Sequence, residues 1–209
     1  MKTFNTTAVC IPSKHYMVNL SGRVKEIRKL VDAGKYFTIN RARQYGKTTT
    51  LDALSLSLNS EYVVLSLDFQ DIGDAVFRTE GAFAQGLCRI ICDAAEFMDI
   101  PIPEKFQIEF ERLNAKVEDD VKLDELFRVF MRWFKESDRP VVLIIDEVDS
   151  ATNNQVFLDF LAQLRSLYLK REKNPKVKTF QSVILAGVTD VKHLKSKIRP
   201  EEDSKENSP

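Results

Sequence analysis

An excess of charge of either sign is missing from this sequence: 31 Lys and Arg stand against 31 Asp and Glu in 209 residues, a formal net charge of zero. No global field draws such a chain to nucleic acid or to an anionic membrane, so a nucleic-acid partner would need a local basic face. Long apolar runs are missing too. The leader MKTFNTTAVCIPSKHYM holds none long enough for a signal peptide, and nothing approaches the roughly 20 apolar residues of a membrane span. The expected compartment is the cytoplasm. Cysteine is scarce: Cys10, Cys88 and Cys92 are odd in number and lack the paired spacing of a zinc site. Cys88 and Cys92 fall one helical turn apart on an apolar face, which reads as reduced, buried thiols. There is no internal repeat and no base-specific motif to separate adenine from guanine. Nothing places His15, Trp133 or the Phe-rich helices near a site, and they are assigned to packing or surface.

What is present is enough apolar material, 44% of the residues, for one substantial core, so residues 1–209 read as a single domain. Val24, Ile27, Leu30 and Val31 recur at helical spacing, with Ser21 expected as N-cap and Gly34 ending the helix. The run 36–40 is expected as a buried strand, followed by a loop and a helix striped by Leu51, Leu54 and Leu58. A second strand is expected at 62–68. Residues 74–136 read as a helical insertion, broken at Pro101 to Pro103 and at VEDD. The nearly all-aliphatic 141–146 fits a central parallel strand, an amphipathic helix follows it, and 181–187 is the fourth strand. Alternating strands and helices imply an α/β fold, three-layered α/β/α with a mainly parallel sheet. From about residue 192 to 209 the tail is polar and expected to be loose.

Between the first strand and its helix lies Arg41-Ala42-Arg43-Gln44-Tyr45-Gly46-Lys47-Thr48, which meets the GxxxxGK[ST] pattern at every position except the first. In that pattern backbone N–H groups wrap phosphates, the lysine reaches the outer phosphates and the hydroxyl ligates magnesium. The phosphate-binding set is therefore Arg43, Gln44, Tyr45, Gly46, Lys47, Thr48 and Thr49, helped by the helix N-terminus. Arg41 and Arg43 either add charge at the loop's shoulder or point to solvent. Nearly a hundred residues later VVLIIDE ends in two acids at the carboxyl edge of a strand, where open α/β sheets bind ligands. Asp146 with Thr48 suits a magnesium ion, and Glu147 suits polarisation of an attacking water. Asp149 reads as a helix-side or solvated acid. Thr189, after the fourth strand, is the candidate for sensing the terminal phosphate. Asp68 or Gln70 is a candidate for holding Glu147 until ligand binds.

Together, YFTINRARQYGKTTTL, LIIDEVDSATNNQVFLDFLAQLR and ILAGVTDVKHL resemble the prokaryotic AAA-like ATPases of the archaeal-ATPase and signal-transduction type. In that family an arginine often opens the loop, as Arg41 does here, while Ala42 departs from the usual proline. The resemblance implies ATP as ligand, Mg2+ as its ion, and an additional-strand, catalytic-glutamate P-loop fold. Catalysis would rest on Glu147, Lys47 and Thr189. It also implies a further strand beside the phosphate-loop strand, a helical lid and an effector domain, none of which follows Asp190 in this sequence. The chain is thus expected to be the ATPase core alone, with Arg199 as a poor substitute for a neighbouring subunit's arginine. A homo-oligomer or a C-terminal domain would be its partner. The bare edge of the first strand is expected to promote self-association, and the fourth strand is expected between the first and the third.

Overall fold

The structure is a computed structural model that describes residues 3, 14, 16, 18–40, 46–70 and 72–188, the side chain of Ser150 excepted. Helix α1 (Ser21–Asp32) leads into strand β1 (Tyr36–Asn40) and helix α2 (Lys47–Leu58). Strand β2 (Val63–Asp68) is followed by the helical insertion: α3 (Glu80–Phe97), α4 (Glu104–Asn114) and α5 (Leu123–Glu136). Strand β3 (Val141–Asp146), helix α6 (Gln155–Lys173) and strand β4 (Ser182–Gly187) complete the order. The sheet is four-stranded in the order β1-β4-β3-β2, with every pair parallel. β4 thus lies between β1 and β3, as expected from the sequence, and β2 and β4 each begin one residue later than read there.

Period-two alternation along the strands sends side chains to two cores. On one face Val64, Val142, Ile144, Ile184 and Ala186 pack with Val31 of α1 and with Leu51, Leu54 and Leu58 of α2. On the other, Leu65, Leu67, Leu143, Ile145 and Val183 meet Phe83, Phe127, Phe130, Phe157 and Phe160 from α3, α5 and α6. Helices on both faces are what allow β3 and β4 to be buried at every position. Pro101 and Pro103 lie in the break between α3 and α4, and the acidic turn Glu118–Asp120 lies between α4 and α5. Trp133 is fully buried, and so are Phe110 and Phe130 beside it.

Three local expectations change. β1 is only half-buried, with Thr38 and Asn40 exposed, because it is an edge of the sheet among the described residues. Ser21 is the first helical residue of α1 and not its cap. Leu20 flanks the helix without a side-chain bond, and Asn19 Oδ1 accepts the Ser21 N–H at 2.9 Å. An Asn side chain readily reaches the backbone two residues on. The third is Asp149, which the short turn Val148–Ser150 brings to the end of β4. At the other end of α1 the expectation holds: Gly34 N–H bonds to Val31 O and Lys35 N–H to Leu30 O, 2.9 and 3.0 Å, the paired closing bonds of a Schellman end. Cys88 and Cys92 are free thiols, Cys88 buried, and burial pushes both up, to about 12 and about 11.

Arg171 joins the amino ends of β1 and β4. Its Nη1 donates to the carbonyls of Phe180 and Gln181, at 2.6 and 3.0 Å, and its Nη2 donates to Gly34 O. The guanidinium lies against the rings of Tyr36 and Tyr168. Truncation removes a charged donor from three part-buried carbonyls, of which Phe180 O keeps the Tyr36 and Thr179 hydroxyls, so Arg171→Ala should lower the unfolding free energy by about 1–3 kcal/mol in urea titrations. Unchanged stability would show that these bonds are replaced by water at no cost.

Candidate functional site

The chemistry-bearing residues collect at the carboxyl edge of the sheet, where β3 ends beside the start of α2. Gly46 flanks α2 in the left-handed region, at φ 69° and ψ 33°, a conformation that carries little penalty only for glycine. An α-helix leaves its first N–H groups without intrahelical acceptors, so the start of α2 presents donors and a positive dipole end. Thr50, buried, fixes this start by donating its hydroxyl to Gly46 O at 2.7 Å. Thr48 is exposed and Thr49 half-buried.

Lys47 is 8% exposed and faces both acids. Its Nζ donates to Glu147 Oε1 at 2.7 Å and lies 3.1 Å from Asp146 Oδ1. Thr48 Oγ1 donates to Asp146 Oδ2 at 2.9 Å. The second oxygen of that carboxylate also accepts the N–H of Glu147, at 2.8 Å. Burial alone would lower the Lys47 pKa, but the hydrogen bonds and charges of Glu147 and Asp146 outweigh it and hold the ammonium above its ordinary value. For a cation the sign follows: the pairing stabilises the fold at neutral pH and is lost only as pH rises through that raised value.

Glu147 sits in the left-handed region, φ 54° and ψ 39°, which costs a residue with a Cβ of order 1–3 kcal/mol. Asp146 holds it there through the N–H bond just described, and the Glu147 carboxylate consequently faces Lys47. Asp68 Oδ1 accepts the N–H of Gln70 at 2.8 Å, closing its own turn. Lys47 is one group that holds Glu147. The structure therefore brings together Gly46, Lys47, Thr48, Asp146 and Glu147. Arg41, Arg43, Gln44, Tyr45, Thr189, Asp190 and Arg199 lie outside the described residues.

Two acids have surroundings that escaped the reading from sequence. Asp149 is half-exposed in a short 3-10 helix, and beyond the reading from sequence its Oδ2 accepts the N–H of Val188 at 2.5 Å, across to β4. No periodicity announces this, because it depends on a short 3-10 turn, Val148–Ser150, that follows β3. Asp52, exposed one turn along α2 from Thr48, has its carboxyl raised by partial desolvation and then by the charge of Asp146. Among the described residues no group of three or more His, Cys, Asp or Glu could hold a metal unaided. No helix there is long and apolar enough to cross a membrane.

Residues 4–198 match the AAA-like domain family. No curated protein matches the chain. Solved structures similar to it include Drosophila ORC bound to poly(dA/dT) DNA and Cdc6, at 12% identity, and Drosophila ORC bound to GC-rich DNA and Cdc6, at 15%. Both have a TM-score of 0.42 and align with 86% of this chain, which spans only 26% and 27% of theirs.

Because ionised Asp52 is disfavoured by the fold, its penalty is full above the raised pKa and fades as pH falls towards the ordinary 3.8. Asp52→Asn should therefore raise the melting temperature at pH 7, with a gain that shrinks in acid. A variant less stable than the parent at pH 7 would show that the Asp52 charge is compensated.

Proposed function

Because this chain belongs to the AAA-like domain family and is a nucleotide-binding domain of the ATPase type, we propose that it binds ATP with Mg2+ at the Lys47 cluster and hydrolyses it. The observation that carries the reading is the chain of contacts Glu147–Lys47–Asp146–Thr48, each of 2.7–3.1 Å, at the start of a helix. In this assignment the Gly46 turn and the first N–H groups of α2 take the phosphates, and Lys47 neutralises the outer ones.

Thr48 and Asp146 fit the ion. Both offer hard oxygens, already 2.9 Å apart, and magnesium is commonly held by one or two protein groups together with phosphate and water. Bound there, it would neutralise charge on the phosphate oxygens. Asp146 also fixes the backbone of Glu147, so the acid that meets the metal orients the acid that meets water. Glu147 accepts a proton from the attacking water once its carboxylate is released by Lys47. Thr189 is assigned to the terminal phosphate, and Arg43, Gln44, Tyr45 and Thr49 to the phosphate cradle. Residues 1–209 form one such core, with α3 to α5 as its helical insertion, and its cycle drives or gates an effector or a second copy of the chain.

One observation favours a second reading, a nucleotide-dependent switch with little turnover. Lys47 is engaged by both carboxylates, so an arriving phosphate competes with Glu147 and changes the site without any bond being broken.

Variants at the two residues separate binding from chemistry. Lys47→Ala should weaken magnesium-ATP binding at least roughly 30-fold, the cost of removing a desolvated charge partner. Glu147→Gln should leave affinity within about threefold and remove roughly 10²–10⁴ of the hydrolysis rate, in this chain or a longer one that turns over. Hydrolysis at the parent rate in Glu147→Gln would leave the switch reading in place, and full affinity in Lys47→Ala would end the phosphate-loop assignment.

A further inference from the structure

Beside the Lys47 cluster, one more carboxylate works on backbone. The β3–β4 ladder ends at the pair Ile145 and Leu185, while β4 continues against β1 as far as Asn40 and Gly187. Asp146 still pairs with Asp68 of β2, and the chain then leaves the sheet through the left-handed Glu147, so the β3–β4 register goes no further than Ile145. The Asp149 side chain takes over there: Oδ2 accepts the Val188 N–H at 2.5 Å. A hydrogen bond to an ionised acceptor is roughly twice as strong as a neutral one.

The approach is close enough to dictate the residue before it. A Cβ on Gly187 would stand 2.7 Å from Asp149 Oδ2 and 3.1 Å from Val148 Cγ2. The turn that carries Asp149 is itself anchored: Val148 and Ala151 are buried, and Thr152 donates its hydroxyl to Asp149 O at 2.9 Å. The acids of β3 and the end of β4 are therefore coupled by one side chain.

We propose that Asp149 is a positioning residue that holds the carboxyl end of β4, Gly187 and Val188, in register with the turn bearing Asp146 and Glu147. In that assignment the end of β4 stays fixed beside the acids that answer the terminal phosphate at Lys47. This rests on the nucleotide-binding reading above. Asp149 touches neither phosphate nor ion in this assignment and acts through Val188.

The test is equilibrium binding of magnesium-ADP and of a magnesium complex of a non-hydrolysable ATP analogue, on the whole chain. The proteins compared are the parent, Asp149→Ala, Asp149→Asn, Gly187→Ala and the Asp149→Ala, Gly187→Ala pair, with folding checked by thermal melting. Asp149→Ala should weaken the analogue about 5- to 10-fold and ADP less than about twofold, the scale of one lost hydrogen bond. Asp149→Asn, which keeps an oxygen acceptor, should recover most of the loss. Gly187→Ala should reproduce it, and the pair should bind no worse than either single variant, because both act on one contact. If Asp149→Ala does not fold, Asp149→Asn and Gly187→Ala decide: near-parental affinities in the first with a loss confined to the analogue in the second support the assignment. Equal losses for both nucleotides, no loss, or additive losses in the pair overturn it while nucleotide binding stands. A parent that binds neither nucleotide overturns the functional reading and this inference with it.

Discussion

One ammonium compensates two carboxylates at the mouth of a strand that is buried on both faces. Lys47, Asp146 and Glu147 can be neighbours only because β3 delivers its acids to the edge where α2 begins. Without Lys47 the desolvated Asp146 has lost its main cationic partner, and removing one member of such a pair is strongly destabilising. The rest of the sheet serves that meeting. β1 feeds the loop that leads to Gly46, β4 spaces β1 from β3, and the apolar layers on either side exclude water from the strands.

The same arrangement stores tension at the point where a ligand would arrive. Glu147 is in a backbone conformation that a residue with a Cβ adopts at a cost, and it is kept there by Asp146 and faced by Lys47. Asp146 accepts from Thr48, pairs with Lys47 and accepts the Glu147 N–H, so any anion that draws Lys47 away alters the surroundings of both acids at once. Strain of this kind clusters where two states must differ. Under the function proposed above, such strain would couple the identity of the bound nucleotide to the direction in which Glu147 points.

Much of this was legible in the sequence because it rests on local pattern. VVLIID and SVILAG are aliphatic at nearly every position, which only a doubly covered strand requires, and Gly46-Lys47-Thr48 falls between a strand and an apolar-striped helix. β4's place between β1 and β3 followed from the family likeness and not from any pattern in the strand itself. What escaped depends on how separate segments meet. The exposure of β1 follows from its edge position, which its apolar composition hides. The cap of α1 comes from Asn19, two residues before Ser21, and helix periodicity is blind to it. Asp149 lies 39 positions before Val188, and only the turn after Glu147 brings them together. Lys47 as a partner of Glu147 is hidden for a related reason: the two lie 100 positions apart, and no local pattern pairs them.

The central claim is that the Lys47, Thr48, Asp146 and Glu147 cluster is a phosphate and metal site. It is tested most directly by equilibrium binding of ATP and GTP to the unmodified chain, with magnesium and with a chelator. The account predicts saturable binding of one ATP per chain, tightened by magnesium, with GTP bound more weakly. Absence of binding, or an affinity indifferent to the ion, would contradict it.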